Sequence, residues 1–140
     1  MNVCISGYFD PLHVGHLEYI RLSKTLAGPG GTLIVIVNND HQATLKKGKP
    51  FMKDEERIEI IAALKDVDEV FLSIDTDRTV CQSLVAVHTL WNVNMFANGG
   101  DQSNENIPEK KTCDEYGIIL VDRLGDKIQS SSWLTGLKQQ

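Results

Sequence analysis

The sequence contains few cysteines and no long apolar run. Cys4, Cys81 and Cys113 are odd in number, far apart and form no C-x-x-C pair, which argues against a disulfide framework or a zinc knuckle. Reduced thiols fit the cytoplasm. The first residues, Met1–Ser6, are too short and uncharged for a signal peptide, and no apolar run approaches membrane-spanning length. We therefore expect a cytoplasmic protein without membrane association.

Positive charge is also scarce. The 140 residues include 14 Lys and Arg against 19 Asp and Glu, which gives a formal net charge of -5 and a pI near 5.3. Proteins that bind nucleic acids or membrane surfaces need a broad positive field to collect phosphates, so the composition disfavours both classes. The expected partner is a small molecule. The length fits one domain over residues 1–140 that buries a core without disulfide or metal support.

Five short apolar runs alternate with helical patterns along the chain. The run Thr32–Val37 is β-branched and apolar on both alternating faces, which is typical of a strand covered on both sides. This alternation predicts a doubly wound, Rossmann-like α/β domain with a five-stranded parallel sheet, whose ligands bind at the carboxyl ends of the strands. The predicted strands are Val3–Ser6, Thr32–Val37, Val70–Leu72, Val93–Ala97 and Ile118–Val121.

Apolar residues at spacings of three and four predict the helices between these strands. The first helix covers Val14 to about Leu26, and a second opens at Asp54 with acidic residues near the positive end of its dipole. Thr79 or Asp77 is expected to cap a third helix, and Ser130 precedes a last one. Each helix falls between two predicted strands or after the last of them, as a doubly wound fold requires.

The segment Gly7–His16 lies at the turn from the first strand to the first helix. His13 and His16 are three residues apart with Gly15 between them, so both imidazoles can face the same way. Three interpretations are open. The histidines could bind zinc, although no third ligand accompanies them, or they could satisfy nearby backbone groups. They could also donate to phosphate oxygens at a helix N-terminus, where free N–H groups and the helix dipole attract anions.

A basic segment follows the second strand. Asn38–Met52 shows no apolar periodicity and is predicted to be a long loop, which suggests a functional role. Five of the fourteen basic residues lie between Lys46 and Arg57. A solvated charged surface is one interpretation of such a run, but its concentration in an acidic chain favours anion binding. The five are Lys46, Lys47, Lys49, Lys53 and Arg57.

The segment Gly7–His16 resembles the H-x-G-H signature of the cytidylyltransferase-like nucleotidyltransferases, preceded by the G-x-F-D of that family. The resemblance implies transfer of a nucleoside monophosphate from CTP or ATP to a phosphorylated small molecule, with release of pyrophosphate. It implies that His13, His16 and Lys46 are catalytic. The residues of this segment implied to bind the nucleotide are Gly7, Tyr8, Phe9, Asp10 and Gly15.

The resemblance extends to Asn98–Asp101. By itself this segment is typical of a strand-ending turn. It is similar to the K-G-G-D segment of heptose-1-phosphate adenylyltransferases, with Asn98 in place of the lysine. The resemblance therefore implies that Asn98, Gly99 and Asp101 bind the nucleotide, with Asp101 accepting from the ribose hydroxyls. By these motifs the chain resembles the heptose-1-phosphate adenylyltransferases more than the glycerol-3-phosphate cytidylyltransferases, which are the alternative.

The end of the chain and two internal residues complete the implied site. Lys127–Ser132 is either a simple helix cap or the family's serine-rich start of the last helix, in which Gln129, Ser130 and Ser131 hold the triphosphate. Asp40 resembles a family position near the acceptor substrate. Arg57 resembles an arginine that contacts phosphate or helps to hold the site.

The resemblance also implies partners. Mg²⁺ is expected with the nucleoside triphosphate, held mainly through phosphates, so no protein metal motif is required. The expected substrates are the nucleotide and a phosphorylated sugar or polyol, and a homodimer is expected from the relatives. A non-catalytic nucleotide-binding module that retains the fold is the alternative outside enzymes.

Overall fold

The computed structural model of the chain describes residues 1–98 and 107–121. The strands are β1 Asn2–Gly7, β2 Thr32–Val37, β3 Glu69–Leu72, β4 Met95–Ala97 and β5 Ile119–Val121. The helices are α1 Val14–Ala27, α2 Asp40–Lys47, α3 Asp54–Ala62, α4 Cys81–Trp91 and α5 Glu109–Tyr116. The helix expected from Ser130 lies outside the described residues. In the part of the chain that is described, no helix is both long and apolar enough to cross a membrane.

The five strands form one parallel sheet in the order β3-β2-β1-β4-β5. Strand β1 is central, with Val3 paired to Leu33 of β2 on one side and to Met95 of β4 on the other. The chain order therefore reverses at β1, which creates a crevice between the carboxyl ends of β1 and β4 where ligands of such sheets bind. The predicted α/β fold class is confirmed.

Alternation along the central strands divides the core between the two faces of the sheet. Val3 and Ile5 of β1 belong to one apolar cluster, whereas Cys4 between them belongs to the other. In β2, Leu33, Val35 and Val37 pack on the first face and Ile34 and Ile36 on the second. All of these side chains are fully buried, as a parallel sheet covered by helices on both faces requires.

The prediction of a loop over Asn38–Met52 is wrong, because helix α2 occupies Asp40–Lys47. The helix is fixed by its ends rather than by an apolar stripe. Asn39 and Gln42 form a reciprocal capping box, and Gly48 ends the helix at φ 94°. Its buried residues are Gln42 and Ala43, so the 3.6-residue periodicity that predicts a helix is missing from the sequence.

Of the two predicted caps of α4, only Thr79 contacts the helix start. The helix begins at Cys81, and its N-cap residue Val80 makes no side-chain cap. The Thr79 hydroxyl accepts from Cys81 N at 3.4 Å, and the buried carboxylate of Asp75 accepts from Gln82 N at 2.9 Å and Ser83 N at 2.8 Å. Asp77 accepts instead from Thr79 within the preceding turn. A carboxylate several residues upstream thus supplies the shorter capping bonds, and the predicted Thr79 supplies a long one.

Candidate active site

A cleft of about 810 Å³ opens at the carboxyl edge of the sheet. Segments that are distant in the sequence meet there: the turn after β1, the end of α2, the segment before α4, and Asn98 after β4. The structure therefore brings His13, His16 and Lys46 to one cleft, together with the other predicted residues of the first turn. Those residues are Gly7, Tyr8, Phe9, Asp10 and Gly15.

His13 and His16 begin helix α1 and cap it reciprocally. His13 is the N-cap residue, and its Nδ1 accepts from Gly15 N at 3.1 Å. His16 Nδ1 accepts from His13 N at 3.1 Å, which closes a capping box made of two imidazoles. We call this pair the histidine wall. The expectation that the histidines satisfy backbone groups therefore holds for one nitrogen of each ring.

The capping bonds also determine the tautomers. A neutral imidazole that accepts at Nδ1 carries its hydrogen on Nε2. No described residue accepts a hydrogen bond from Nε2 of His13 or His16, and both side chains line the cleft. The histidine wall thus offers two N–H donors at a helix N-terminus, where the dipole already favours an anion.

The environment of His16 keeps its ring neutral. Its centroid lies 3.8 Å from that of His13, with the rings 26° from parallel, and 5.1 Å from that of the buried Phe9. Burial, the neighbouring His13 and the Lys46 charge lower the pKa of His16 to about 4. At neutral pH the ring is therefore a hydrogen-bond donor without a net charge.

Glycines at two positions of this segment leave room for neighbouring rings. A Cβ on Gly7 would lie 2.8 Å from the Phe9 ring, and one on Gly15 would lie 3.0 Å from the His13 ring. Phe9 itself has φ 50° and is 2% exposed. The glycines thus let an aromatic ring and an imidazole pack directly onto the backbone, which sets the orientation of the histidine wall.

Two cations of the cleft lie next to Tyr8. Lys46 Nζ stands 4.3 Å from the centroid of the Tyr8 ring, in cation–π contact. The Arg78 guanidinium lies beside the Tyr8 hydroxyl, and both residues line the cleft. We call Lys46 and Arg78 the cationic wall. Burial and the charges of Lys47 and Arg78 lower the pKa of Lys46 from its ordinary value.

The carboxylate of Asp10 links the turn that carries the histidine wall to the end of α2, which carries Lys46. Its fully buried carboxylate accepts from Phe51 N at 2.8 Å, Met52 N at 2.6 Å and Lys47 Nζ at 3.0 Å. Burial raises the pKa of Asp10, but the hydrogen bonds from Lys47 and the two amides outweigh it, so the pKa lies below its ordinary value. Asp10 thus holds the end of α2 against the first turn. It lines the cleft with its oxygens already engaged.

Arg57 and Asp40 were predicted to contact substrate, and the structure places them behind the cleft. Arg57 is 1% exposed and donates to Tyr8 O at 2.8 Å, Asn38 O at 2.7 Å and Met52 O at 2.9 Å. Its remaining bond, at 2.9 Å, goes to the Asp40 carboxylate, which also accepts from the amide that begins α3. Neither residue belongs to the described lining of the cleft. Arg57 therefore helps to hold the site, one of its two expected roles.

The nucleotide side of the predicted site is described only in part. Asn98 follows β4; its amide donates to Val121 O at 2.6 Å, and it lines the cleft. Tyr19 of α1 fixes the same strand end, because its hydroxyl donates to Ala97 O at 2.7 Å. The other predicted residues of this side lie outside the described residues: Gly99, Asp101, Gln129, Ser130 and Ser131.

Sequence reasoning missed Arg78 and Gln42. Arg78 follows β3, so its position at the carboxyl edge of the sheet was a usable signal. Gln42 is fully buried and binds the loop that carries Arg78, which no sequence pattern indicated. Across residues 1–98 and 107–121, no group of three or more His, Cys, Asp or Glu side chains is arranged to hold a metal ion.

A parallel Rossmann-like sheet with an imidazole-capped helix at its switch point defines a nucleotide-binding α/β domain, and comparisons make the class specific. The sequence model of the family described as cytidylyltransferase-like matches residues 4–127. The chain is 31% identical over 139 residues to the FAD synthase of Thermoplasma acidophilum, covering 94% of this chain and 89% of that protein.

Two further similarities agree. The bifunctional protein HldE of Syntrophotalea carbinolica is 32% identical over 124 residues, which cover 86% of this chain and 24% of HldE. A lipopolysaccharide core biosynthesis protein from Thermoplasma volcanium has the same fold, with a TM-score of 0.69 at 24% identity over 88% of this chain and 95% of that one. The chain belongs to the cytidylyltransferase-like family. The expectation that it is a nucleotidyltransferase is confirmed.

Proposed function

We propose that this nucleotidyltransferase transfers AMP from ATP to the phosphate of a phosphorylated polyol or sugar and releases pyrophosphate. The preference for ATP is supported by the similarity to FAD synthase over 94% of the chain. FAD consists of an AMP unit joined to riboflavin 5′-phosphate, whose phosphate is carried by a ribityl chain. A phosphorylated polyol is therefore the acceptor class that unites this similarity with the motif resemblance.

The observation that carries the proposal is the pair of Nε2–H donors on the histidine wall. In the reaction, an acceptor phosphate oxygen uses a lone pair to form a bond to the α-phosphorus of ATP. The bond from the α-phosphorus to the bridging oxygen breaks, and pyrophosphate leaves with that electron pair. Catalysis then depends on positioning and on donors for the phosphoryl oxygens. His13, His16 and Lys46 supply a cluster of such donors in one cleft.

Donors of fixed tautomer suit this task. Because the capping bonds occupy Nδ1 of both rings, neither ring can turn its acceptor nitrogen toward the phosphates. A positioned donor of this kind contributes ~3 kcal/mol to the stabilisation of a transition state when it faces the developing charge. The fixed tautomers therefore make the histidine wall a preorganised site for the triphosphate.

We propose that Mg²⁺ enters as part of the ATP substrate. Both oxygens of Asp10 are engaged by Lys47 and by two backbone amides, and the cationic wall suits phosphate oxygens better than a metal ion. The metal would therefore be held through the triphosphate, where it supplies charge neutralisation for the leaving pyrophosphate. Asp101 and Ser130 remain proposed ligands of the nucleotide.

A pyrophosphate-release assay tests this function. The purified chain is incubated with Mg²⁺, with ATP or CTP, and with riboflavin 5′-phosphate, glycerol 3-phosphate or heptose 1-phosphate in turn. We expect release with ATP and one of these acceptors. Release only with CTP would replace the proposal by a cytidylyltransferase. Calorimetric binding of a nucleotide without release from any combination would favour the non-catalytic module.

The predicted homodimer is likewise a proposal. Its support is the family resemblance, and light scattering of the purified chain checks it. A mass of one chain at concentrations used in the activity assay would contradict it. The activity proposal does not depend on this outcome, because the histidine wall and the cationic wall both come from one chain.

A further inference from the structure

Two basic side chains in the cleft have no acidic partner among the described residues. Five ion pairs occur within residues 1–98 and 107–121, and they engage Arg21, Lys24, Lys47, Arg57 and Lys110. Neither Lys46 nor Arg78 lies within 4.0 Å of a carboxylate in this part of the chain. Glu109 also lines the cleft, but its carboxylate accepts from Val80 N at 2.9 Å. Two cations without a carboxylate partner therefore favour an anionic ligand.

The loop that carries Arg78 is held in place from α2. The side-chain amide of Gln42 donates to Asp77 O at 2.7 Å and to Thr79 O at 2.8 Å, the carbonyls on either side of Arg78. Gln42 is fully buried, and its Oε1 accepts from Asn38 Nδ2 and Asn39 N. The backbone at Arg78 is thus fixed by a saturated amide network.

A second amide and a local turn complete this support. Asn39 Nδ2 donates to Ser73 O at 2.9 Å and to Asp75 O at 3.0 Å. Asp77 accepts from Thr79 N at 2.9 Å and from the Thr79 hydroxyl at 2.7 Å. Buried amides therefore position a backbone whose one arginine remains exposed and aimed at the cleft, which is the arrangement of a preorganised binding group.

The sheet order places the two walls at the ends of different strands. The histidine wall follows β1, and Asn98 follows β4 on one side of it. Arg78 follows β3 and Lys46 follows β2, both on the opposite side of β1. A nucleotide that spans the β1 and β4 ends leaves the β2 and β3 ends for the second substrate. Tyr8, at the end of β1, lies between them.

We propose that Arg78, positioned by Gln42, binds the phosphate monoester of the acceptor together with Lys46. This assignment rests on the proposed function, because it takes the second substrate to be a phosphate ester. The guanidinium supplies a planar fork of N–H donors that matches two phosphate oxygens. Lys46, whose Nζ lies 4.3 Å from the centroid of the Tyr8 ring, supplies a point charge. The acceptor phosphate is thereby held beside the histidine wall.

Binding measured without turnover tests this assignment. The full chain is saturated with α,β-methylene ATP, and inorganic phosphate is titrated by ³¹P NMR. We expect the wild-type chain to bind phosphate and Arg78→Ala to weaken that binding about tenfold or more, since hydrogen bonds to charged groups contribute ~1.5–3 kcal/mol. The affinity for α,β-methylene ATP should change less than about twofold. Arg78→Lys should recover part of the phosphate affinity.

The matched control is Arg21→Ala, which removes the same charge from an exposed side chain of α1 outside the described cleft lining. It should leave both affinities unchanged. Gln42→Met, which keeps the size but loses both donors, should weaken phosphate binding in the same direction as Arg78→Ala. If Gln42→Met fails to fold, comparison of the Arg78 and Arg21 variants still tests whether Arg78 binds phosphate.

Failure of the Arg78 assignment and failure of the proposed function give different results. Loss of α,β-methylene ATP binding in Arg78→Ala, with phosphate binding retained, would move Arg78 to the triphosphate and overturn the assignment. Absence of phosphate binding by the wild-type chain would also overturn it. If phosphate binding depends on Arg78 but no pyrophosphate is released in any assay, the subsite stands and the proposed function fails. Repeating the titration with riboflavin 5′-phosphate and glycerol 3-phosphate shows which ester the subsite prefers.

Discussion

The two walls of the cleft are built in opposite ways. The histidine wall comes from one continuous turn, and its side chains are fixed by the first backbone amides of the helix they begin. The cationic wall joins Lys46 to Arg78, which are 32 positions apart, and depends on the buried amide of Gln42. Local hydrogen bonds give the first wall its geometry, whereas tertiary packing gives it to the second.

This difference predicts how each wall responds to mutation. A change in the histidine wall alters a helix start and a binding group at once. A change at Arg78 removes a binding group only, because its support lies in other residues. The two arginines of the region show the same contrast, since Arg57 is buried in the scaffold and Arg78 is exposed in the cleft.

The largest expected effect is on activity in His16→Ala. The variant loses one donor to the phosphoryl oxygens, so kcat/KM should fall by about 10² to 10³-fold. It also loses half of the capping box, which should lower the free energy of unfolding by ~1 kcal/mol. His88→Ala is the control, because His88 Nδ1 accepts from Val93 N at 3.0 Å outside the described cleft lining. Equal loss of activity in both variants would mean that only stability is involved.

The next effect is on the free energy of unfolding, which should respond differently to loss of Arg57 and loss of Arg78. Arg57→Ala leaves three carbonyls and the Asp40 carboxylate without their donor, so the free energy of unfolding should fall by ~3 kcal/mol. Arg78→Ala should change it by less than about 0.5 kcal/mol. Urea denaturation measures both values. A large stability loss in Arg78→Ala would contradict its assignment as a binding group.

A smaller effect on stability is expected for Asp10→Asn, because Asp10 links the two walls. Asp10→Asn removes the ion pair with Lys47 and weakens two charge-assisted bonds, so the free energy of unfolding should fall by ~1.5–3 kcal/mol. Since the pKa of Asp10 is lowered in the fold, its contribution is full above its ordinary value of 3.8 and is lost as pH falls below it. The stability gap between wild type and Asp10→Asn, measured by denaturation at several pH values, should therefore narrow in acid. A gap that does not change with pH would contradict the role of the carboxylate charge.

The smallest effect is on the protonation of His16 in the ligand-free protein. The pKa of His16 is about 4 in the fold against an ordinary 6.5, so the stability contributed by neutral His16 is full above pH 6.5 and is lost as pH falls through 4. Imidazole ¹⁵N NMR should show His16 as the Nε2–H tautomer at neutral pH. Adding α,β-methylene ATP should raise its pKa, because an anion favours the charged ring. Protonation of the free wild-type His16 near pH 6.5 would contradict this account.

Features carried by short-range patterns could be predicted from the sequence. The run Thr32–Val37 gives β2 with the predicted bounds, and the alternation of apolar runs gives the parallel sheet. The first helix follows its periodicity from Val14. His13 and His16 could be assigned to the cleft because they immediately precede and begin a helix. In each instance the physical cause lies within a few residues.

What depends on contacts between distant segments was not predictable. Helix α2 is hidden because it is held by a capping box and by the buried Gln42 rather than by an apolar stripe. In α3 the apolar Ala62 is exposed, whereas the buried residues are Arg57 and Ile61. A charged residue is buried there only because three carbonyls and a carboxylate surround it. Such partners cannot be found from local sequence.

The imidazole cap makes the two halves of each ring chemically separable. One nitrogen of His13 and His16 holds the helix start, and the other faces the cleft. A methyl group placed on Nε2 by incorporation of a methylated histidine would silence the donor and leave the cap intact. A methyl group on Nδ1 would do the reverse. The two methylations would thus separate the contribution of each histidine to folding from its contribution to catalysis.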